Sequence, residues 1–186
     1  MSTRLGPGGW RELGLVNWVA AHVGGLATRS GEPLRLITAL GRHRALFRAW
    51  LVYSVSMMPF GRLPRRDTEL VILRVAHQMA SHYELAHHRR LARRAGLDDR
   101  EIERVCSAGC EGWSDRTTAI LTATDELVIG VGLRDESWAA LSVHLDEREL
   151  IELCLLVGHY RGLASTLNAL GVAPEHGVAA ASVRAC

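Results

Sequence analysis

The chain has 186 residues, 48% of them hydrophobic and 23% charged, the composition of one folded domain with a sizeable core. Its formal net charge of +2 is too small to favour nucleic acid or an anionic membrane surface, and its arginines are spread over several segments. No run reaches the roughly 20 apolar residues of a membrane-spanning helix. The expectation is therefore a cytoplasmic protein with neither nucleic acid nor membrane as partner.

Along the chain, apolar residues recur at three- and four-residue spacing and strand signals are nearly absent. "WRELGLVNWVAAHVGGLA" and "EPLRLITALGRHRALFRAWLVYSV" read as helices broken by "TRSGEP", and "MMPFGRLPRR" reads as a loop. Asp67 is placed to cap "TELVILRVAHQMA", and Gly96 ends the helix after it. Asp98 and Glu101 have capping-box spacing ahead of "DDREIERVC", and "CSAGCEGW" is a turn. Ser114 caps "DRTTAILTATDELVIGV"; "RDESWAALSVHL" is a short helix, and a long one runs from "DERELIEL" to Gly171. The tail after Pro174 looks poorly anchored. The reading is all-α, with residues 1–33 as a helical extension, 34–175 as the domain and 176–186 as a tail. "DTELVIL" and "ERELIEL" resemble each other and point to a duplicated helix pair, of which only the first copy carries the histidine cluster.

That copy leads into "ASHYELAHHRRLARRAGL", where His82, Tyr83, Glu84, His87 and His88 crowd together. At about 100° per residue, Glu84 and His88 fall in the middle of the apolar face, one turn apart, where i and i+4 side chains meet. His82 and His87 fall with the arginines and are expected to be solvated, with His87 at the border and within reach of a pocket rim. A carboxylate taken out of water costs several kcal/mol unless paired or protonated. Glu84 and His88 therefore read as a partly desolvated acid–base pair facing a cavity, or else as a structural pair that fixes helix packing. Glu69, on the preceding helix, is placed to reach His88 if the two helices pack together.

The stretch "ELVILRVAHQMASHYELAHHRRLARRAGLDDREIERV" resembles the core motif of the carboxymuconolactone decarboxylase family, which shares its fold with the alkylhydroperoxidase D proteins. "TDELVIGVGLRDESWAALSVHLDERELIELCLLVGHYRGLASTLNALGV" resembles the C-terminal half of longer members, so the match spans about residues 34 to 175. The resemblance implies an all-helical, alkylhydroperoxidase D-like domain assembled as trimers or hexamers, with the site near a subunit interface. In the peroxidase branch the motif is a glutamate, a C-x-x-C pair and a histidine. Glu69 and His88 fall on the glutamate and histidine positions, whereas Ser81 and Glu84 stand where the cysteines would be. Serine cannot form the sulfenic acid or disulfide that thiol peroxidase chemistry cycles through. The four cysteines, Cys106, Cys110, Cys154 and Cys186, form no C-x-x-C pair elsewhere and no zinc pattern.

The pattern instead resembles the decarboxylase branch. The expectation is a lyase-like enzyme acting by Glu/His acid–base chemistry, decarboxylation or proton transfer on an activated carbonyl or lactone compound. His88 would be the acid–base group, Glu84 its orienter or proton relay, and Glu69 the group fixing its other ring nitrogen. Ser81, Tyr83 and His87 are assigned to substrate binding. No cofactor and no metal are called for. Three alternatives stand beside this reading: a metal site built on Glu84, His88 and Glu69, an alkylhydroperoxidase-like oxidoreductase, and a non-catalytic helical oligomer.

Overall fold

The computed structural model describes residues 4–6, 8–28, 30–107 and 112–178. Among them all regular structure is helical: α1 (Trp10–Ala27), α2 (Arg35–Leu40), α3 (Arg44–Met57), α4 (Arg65–Gln78), α5 (His82–Arg94), α6 (Asp99–Val105), α7 (Asp115–Ile129), α8 (Asp135–Ser142) and α9 (Glu147–Leu170). No helix among the described residues is long and apolar enough to cross a membrane.

Helix α4 is the axis of the fold, packed against α5, α7 and α9. Ten successive residues, Asp67 to Ala76, are buried, so the helix has no solvent face. Its buried charges survive because each has a partner. Asp67 pairs with Arg116 at 2.9 Å, Arg74 with Asp125 at 2.6 Å, and Glu69 with Arg65 at 2.6 Å. Asp67 is thus no cap. The helix begins two residues earlier, behind Pro64, and the carboxylate expected to open it is spent on α7.

Elsewhere the capping signals are obeyed. Asp98 and Glu101 form their box, Ser114 accepts from the Thr117 amide, and Asp146 opens α9 with Glu149. The second expected helix is in fact two, α2 and α3. A Cβ at Gly41 would lie 2.5 Å from the Ile37 carbonyl oxygen, so the chain turns there, and His43 caps α3. The turn expected at "CSAGCEGW" lies largely outside the described residues.

Helices α4, α5 and α9 end in one way, each with a 6→1 and a 5→2 backbone bond around a left-handed residue. The bonds run from Leu97 to Ala92 and Gly96 to Arg93 after α5, and from Val172 to Leu167 and Gly171 to Asn168 after α9. After α4 they run from Ser81 to Ala76 and Ala80 to His77, and the left-handed position is Ala80, at φ 50. Alanine there costs about 1 kcal/mol more than glycine would. That turn sets the angle at which α5 folds back on α4, and the Asn168 side chain, donating to the Met79 carbonyl at 2.8 Å, ties it to α9.

Candidate active site

The α4–α5 turn lays one face of α5 over α4, and the first consequence is a bond between Glu69 and His88. His88 Nδ1–H donates to Glu69 Oε2 at 2.8 Å, while the other Glu69 oxygen lies 2.6 Å from Arg65. Glu69 is fully buried, behind the imidazole. With Nδ1 committed, Nε2 is the ring nitrogen left for a ligand.

Glu84, one turn earlier on α5, has no such support. It is 2% exposed, and neither carboxylate oxygen meets a hydrogen-bond donor in good geometry. Burial pushes its carboxyl up to about 8, and only the Ser81 hydroxyl at the helix N-cap pulls the other way. At neutral pH Glu84 carries its proton.

Glu84 and His88 line a cavity of about 230 Å³ closed by Trp50, Ser54 and Met58 of the α3 region and by Tyr160 and Leu163 of α9. Tyr160 meets the His88 ring edge-on at 5.3 Å. Burial, then the nearby carboxylates of Glu69 and Glu84, hold its hydroxyl well above the usual phenol range, so it stays a donor. A larger cavity lies beyond Trp50 and Leu163, but no carboxylate lines it. The smaller cavity is the one that holds the chemistry.

The remaining expected residues separate. Ser81 is fully buried and His82 is exposed. His87 and Tyr83 are not on a solvated face; both are buried and line the cavity. Their partner is Glu175, in the segment read as a loose tail. Glu175 is fully buried and accepts from His87 Nε2 at 2.6 Å, the Tyr83 hydroxyl at 3.1 Å and the Arg35 amide at 2.7 Å. Burial alone would raise its carboxyl, but the His87 and Arg35 bonds and the His87 charge together hold it below the ordinary range. The chain beyond Pro174 is therefore anchored as far as a helical turn at 176–178, and 179–186 lie outside the described residues.

Sequence reading missed Glu175, Tyr160 and Trp50. Tyr160 sits in the apolar rhythm of α9, and Glu175 follows a proline in a polar stretch, so neither carried a local signal. The second half of the chain is accordingly not merely structural, since α9 and the Glu175 segment both build the site.

Two alternatives can be set against this geometry. Among the described residues no group of three or more His, Cys, Asp or Glu side chains could hold a metal ion, because Glu69 turns toward Arg65 and His88. Cys106 and Cys154 lie outside the cavity, and burial raises both thiols, the opposite of what a reactive thiolate needs.

The frame is all-helical, with a buried glutamate on one helix, a histidine on the next and a small cavity between them, and its fold is alkylhydroperoxidase D-like. The fold is similar to the alkylhydroperoxidase AhpD core of an uncharacterized peroxidase-related protein from Ralstonia eutropha, with TM-score 0.81 and 14% identity over 94% of this chain and 93% of that one. It is also similar to the debrominase Bmp8, solved as a cysteine-to-alanine variant with 2,3,4-tribromopyrrole, at TM-score 0.76 and 13% identity over 99% and 97% of the two chains. A protein of unknown function from Agrobacterium tumefaciens aligns at TM-score 0.64 and 17% identity over 69% and 90%. Identities this low speak for the fold alone. No curated protein matches the chain in sequence. Residues 44–126, a little under half of the chain, match the model of the carboxymuconolactone decarboxylase family.

Proposed function

We propose that the chain is a thiol-free acid–base enzyme that moves a proton on a small, uncharged, activated carbonyl or lactone compound. The observation that carries this reading is the split between two groups one helical turn apart. Glu84 is held protonated in a dry site, and His88 is held by Glu69 with Nε2 open. A protonated carboxyl and an imidazole nitrogen facing one cavity form an acid and a base.

In the reaction, Nε2 of neutral His88 takes a proton from the carbon beside the carbonyl. The imidazolium that forms is balanced by Glu69 on its far side, which Arg65 contacts from behind. The C–H electron pair flows into the carbonyl, whose oxygen becomes an enolate stabilised by a hydrogen bond from Glu84 or the Tyr160 hydroxyl. Collapse of the enolate with protonation at another carbon gives an isomer, and His88 returns to its neutral form. Decarboxylation would use the same donors to protonate the carbanion left by CO2. The lining does not favour that substrate class: among the described residues it contains no lysine or arginine to hold a carboxylate, and His87 is already paired with Glu175. Among the described residues no thiol lines the cavity, and a peroxidase cycle is the less favoured reading.

The assembly implied by the resemblance is supported by α1, which leaves Trp10, Leu15, Val16, Val23 and Leu26 exposed, enough apolar surface to be covered by a second copy.

The test is hydrogen–deuterium exchange in D2O, followed by proton NMR, on a panel of uncharged unsaturated lactones and cyclic enones. Wild type is expected to wash out the proton beside the carbonyl of at least one of them, and His88→Gln to leave it in place. Equal exchange by both proteins would refute the assignment.

A further inference from the structure

The larger cavity, about 590 Å³, lies between α2, α3 and α9 and shares only Trp50 and Leu163 with the reactive one. Its volume suits a ligand of a dozen or more non-hydrogen atoms. Along α9 its floor is made by Gly158 and Gly162, one turn apart. A Cβ at either would meet nothing within 4 Å. Glycine inside a helix costs about 1 kcal/mol relative to alanine. At both positions the helix therefore forgoes stability to leave space that the protein itself does not fill.

The walls are aromatic. Phe47 and Trp50 stack at 5.7 Å, Trp50 and His159 at 5.4 Å, and Tyr53 meets His159 edge-on at 5.3 Å. His159 is 9% exposed and its Nε2 has no hydrogen-bond partner. Burial lowers it to about 4, so it is neutral at physiological pH and adds no charge to the wall. At the rim stands Arg42. One guanidinium nitrogen donates to the Gly6 carbonyl at 2.7 Å, while its buried Nε has no partner. No aspartate or glutamate lines the cavity.

An aromatic cage over a glycine floor, with a buried imidazole nitrogen unsatisfied and an arginine unmatched by any acid, is complementary to a molecule with an apolar body and a negatively charged head. We propose that this cavity is a second binding site, distinct from the Glu84–His88 site, for an apolar monocarboxylic acid. The body lies over Gly158 and Gly162 against Trp50 and His159, and the carboxylate pairs with the Arg42 guanidinium at the rim. The inference is independent of the reaction proposed above, and no step of that reaction passes through this cavity.

Isothermal titration calorimetry with 2-naphthoate, and with the uncharged 2-naphthalenemethanol as control, tests it on the full chain. Naphthoate is expected to bind saturably at one site per chain and at least tenfold more tightly than the alcohol. Arg42→Gln should remove that preference. Gly162→Leu, which fills the floor without a clash and relieves a helical glycine, should abolish binding of both while the protein melts no lower than wild type and keeps its mass by light scattering. Three results would overturn the proposal. One is equal binding of acid and alcohol by wild type. Another is undiminished binding by Gly162→Leu. The third is a change of assembly in that variant, which would mean that a second copy of the chain fills the cavity.

Discussion

Replacing Glu84 by glutamine separates a catalytic carboxyl from a structural one by their opposite dependence on pH. The folded carboxyl ionises near 8, against an ordinary value of 4.5, because burial penalises its charged form. Below 4.5 the group is protonated in both folded and unfolded chains, and its environment adds nothing to the pH dependence. Between 4.5 and 8 the folded chain holds a proton that the unfolded chain has lost, so stability falls as pH rises. Above 8 both states are ionised and the fall is complete. At about 1.4 kcal/mol per pH unit the span amounts to about 5 kcal/mol. Glutamine has nearly the same shape and no proton to lose, so Glu84→Gln escapes this penalty. Urea denaturation should find the two proteins close at pH 4.5, the variant more stable by about 3 kcal/mol at pH 7, and by about 5 kcal/mol at pH 9. For a chain of this length that corresponds to a rise of about 10 °C or more in melting temperature at the alkaline end. The same variant, which replaces an acidic O–H donor by an amide, should slow proton exchange with Tyr160 left as the stronger donor. Stability curves that run parallel from pH 4.5 to 9, or a variant that is weaker at high pH, would show that Glu84 is ionised and paired, and the acid–base assignment would fall with it.

Glu175→Gln should loosen the C-terminal segment, seen as faster amide exchange at 172–178, and should cost about 1–3 kcal/mol from the weakened buried bonds. Because the folded carboxyl lies below its ordinary value, wild type should lose the same contribution in acid, as pH falls from that ordinary value through the lowered one; this is opposite in sign to Glu84. Changing all four cysteines to alanine should leave the exchange rate unaltered, and a folded but inactive variant would restore thiol chemistry.

Where the chain could be read in advance, the physics was local. Caps at Asp98, Ser114 and Asp146 act through hydrogen bonds two or three residues away, so their spelling is their structure. The inward face of α5 was legible for a similar reason: helical geometry alone puts Glu84 and His88 together, and a carboxylate among apolar neighbours needs an explanation wherever it occurs. Asp67 shows the limit. Its position suits a cap as well as it suits an ion pair, and the choice was made by Arg116, 49 residues later.

His87 and Tyr83 show what a helical wheel leaves out. The wheel sorts side chains relative to one helix axis and so treats the arginine side of α5 as facing water. In the fold that side is half covered. Arg90 reaches the end of α1 through the Thr28 carbonyl, and the segment after α9 returns to lay Glu175 against His87 and Tyr83. A carboxylate 88 residues from its histidine has no sequence signature, yet it decides the charge and burial of everything on that wall. The two carboxylate–imidazole pairs of the cavity therefore differ in kind. Glu69 and His88 lie on adjoining helices whose angle is fixed by a short turn, so their geometry holds whenever those helices form. Glu175 and His87 meet only through long-range closure, across 88 residues of chain.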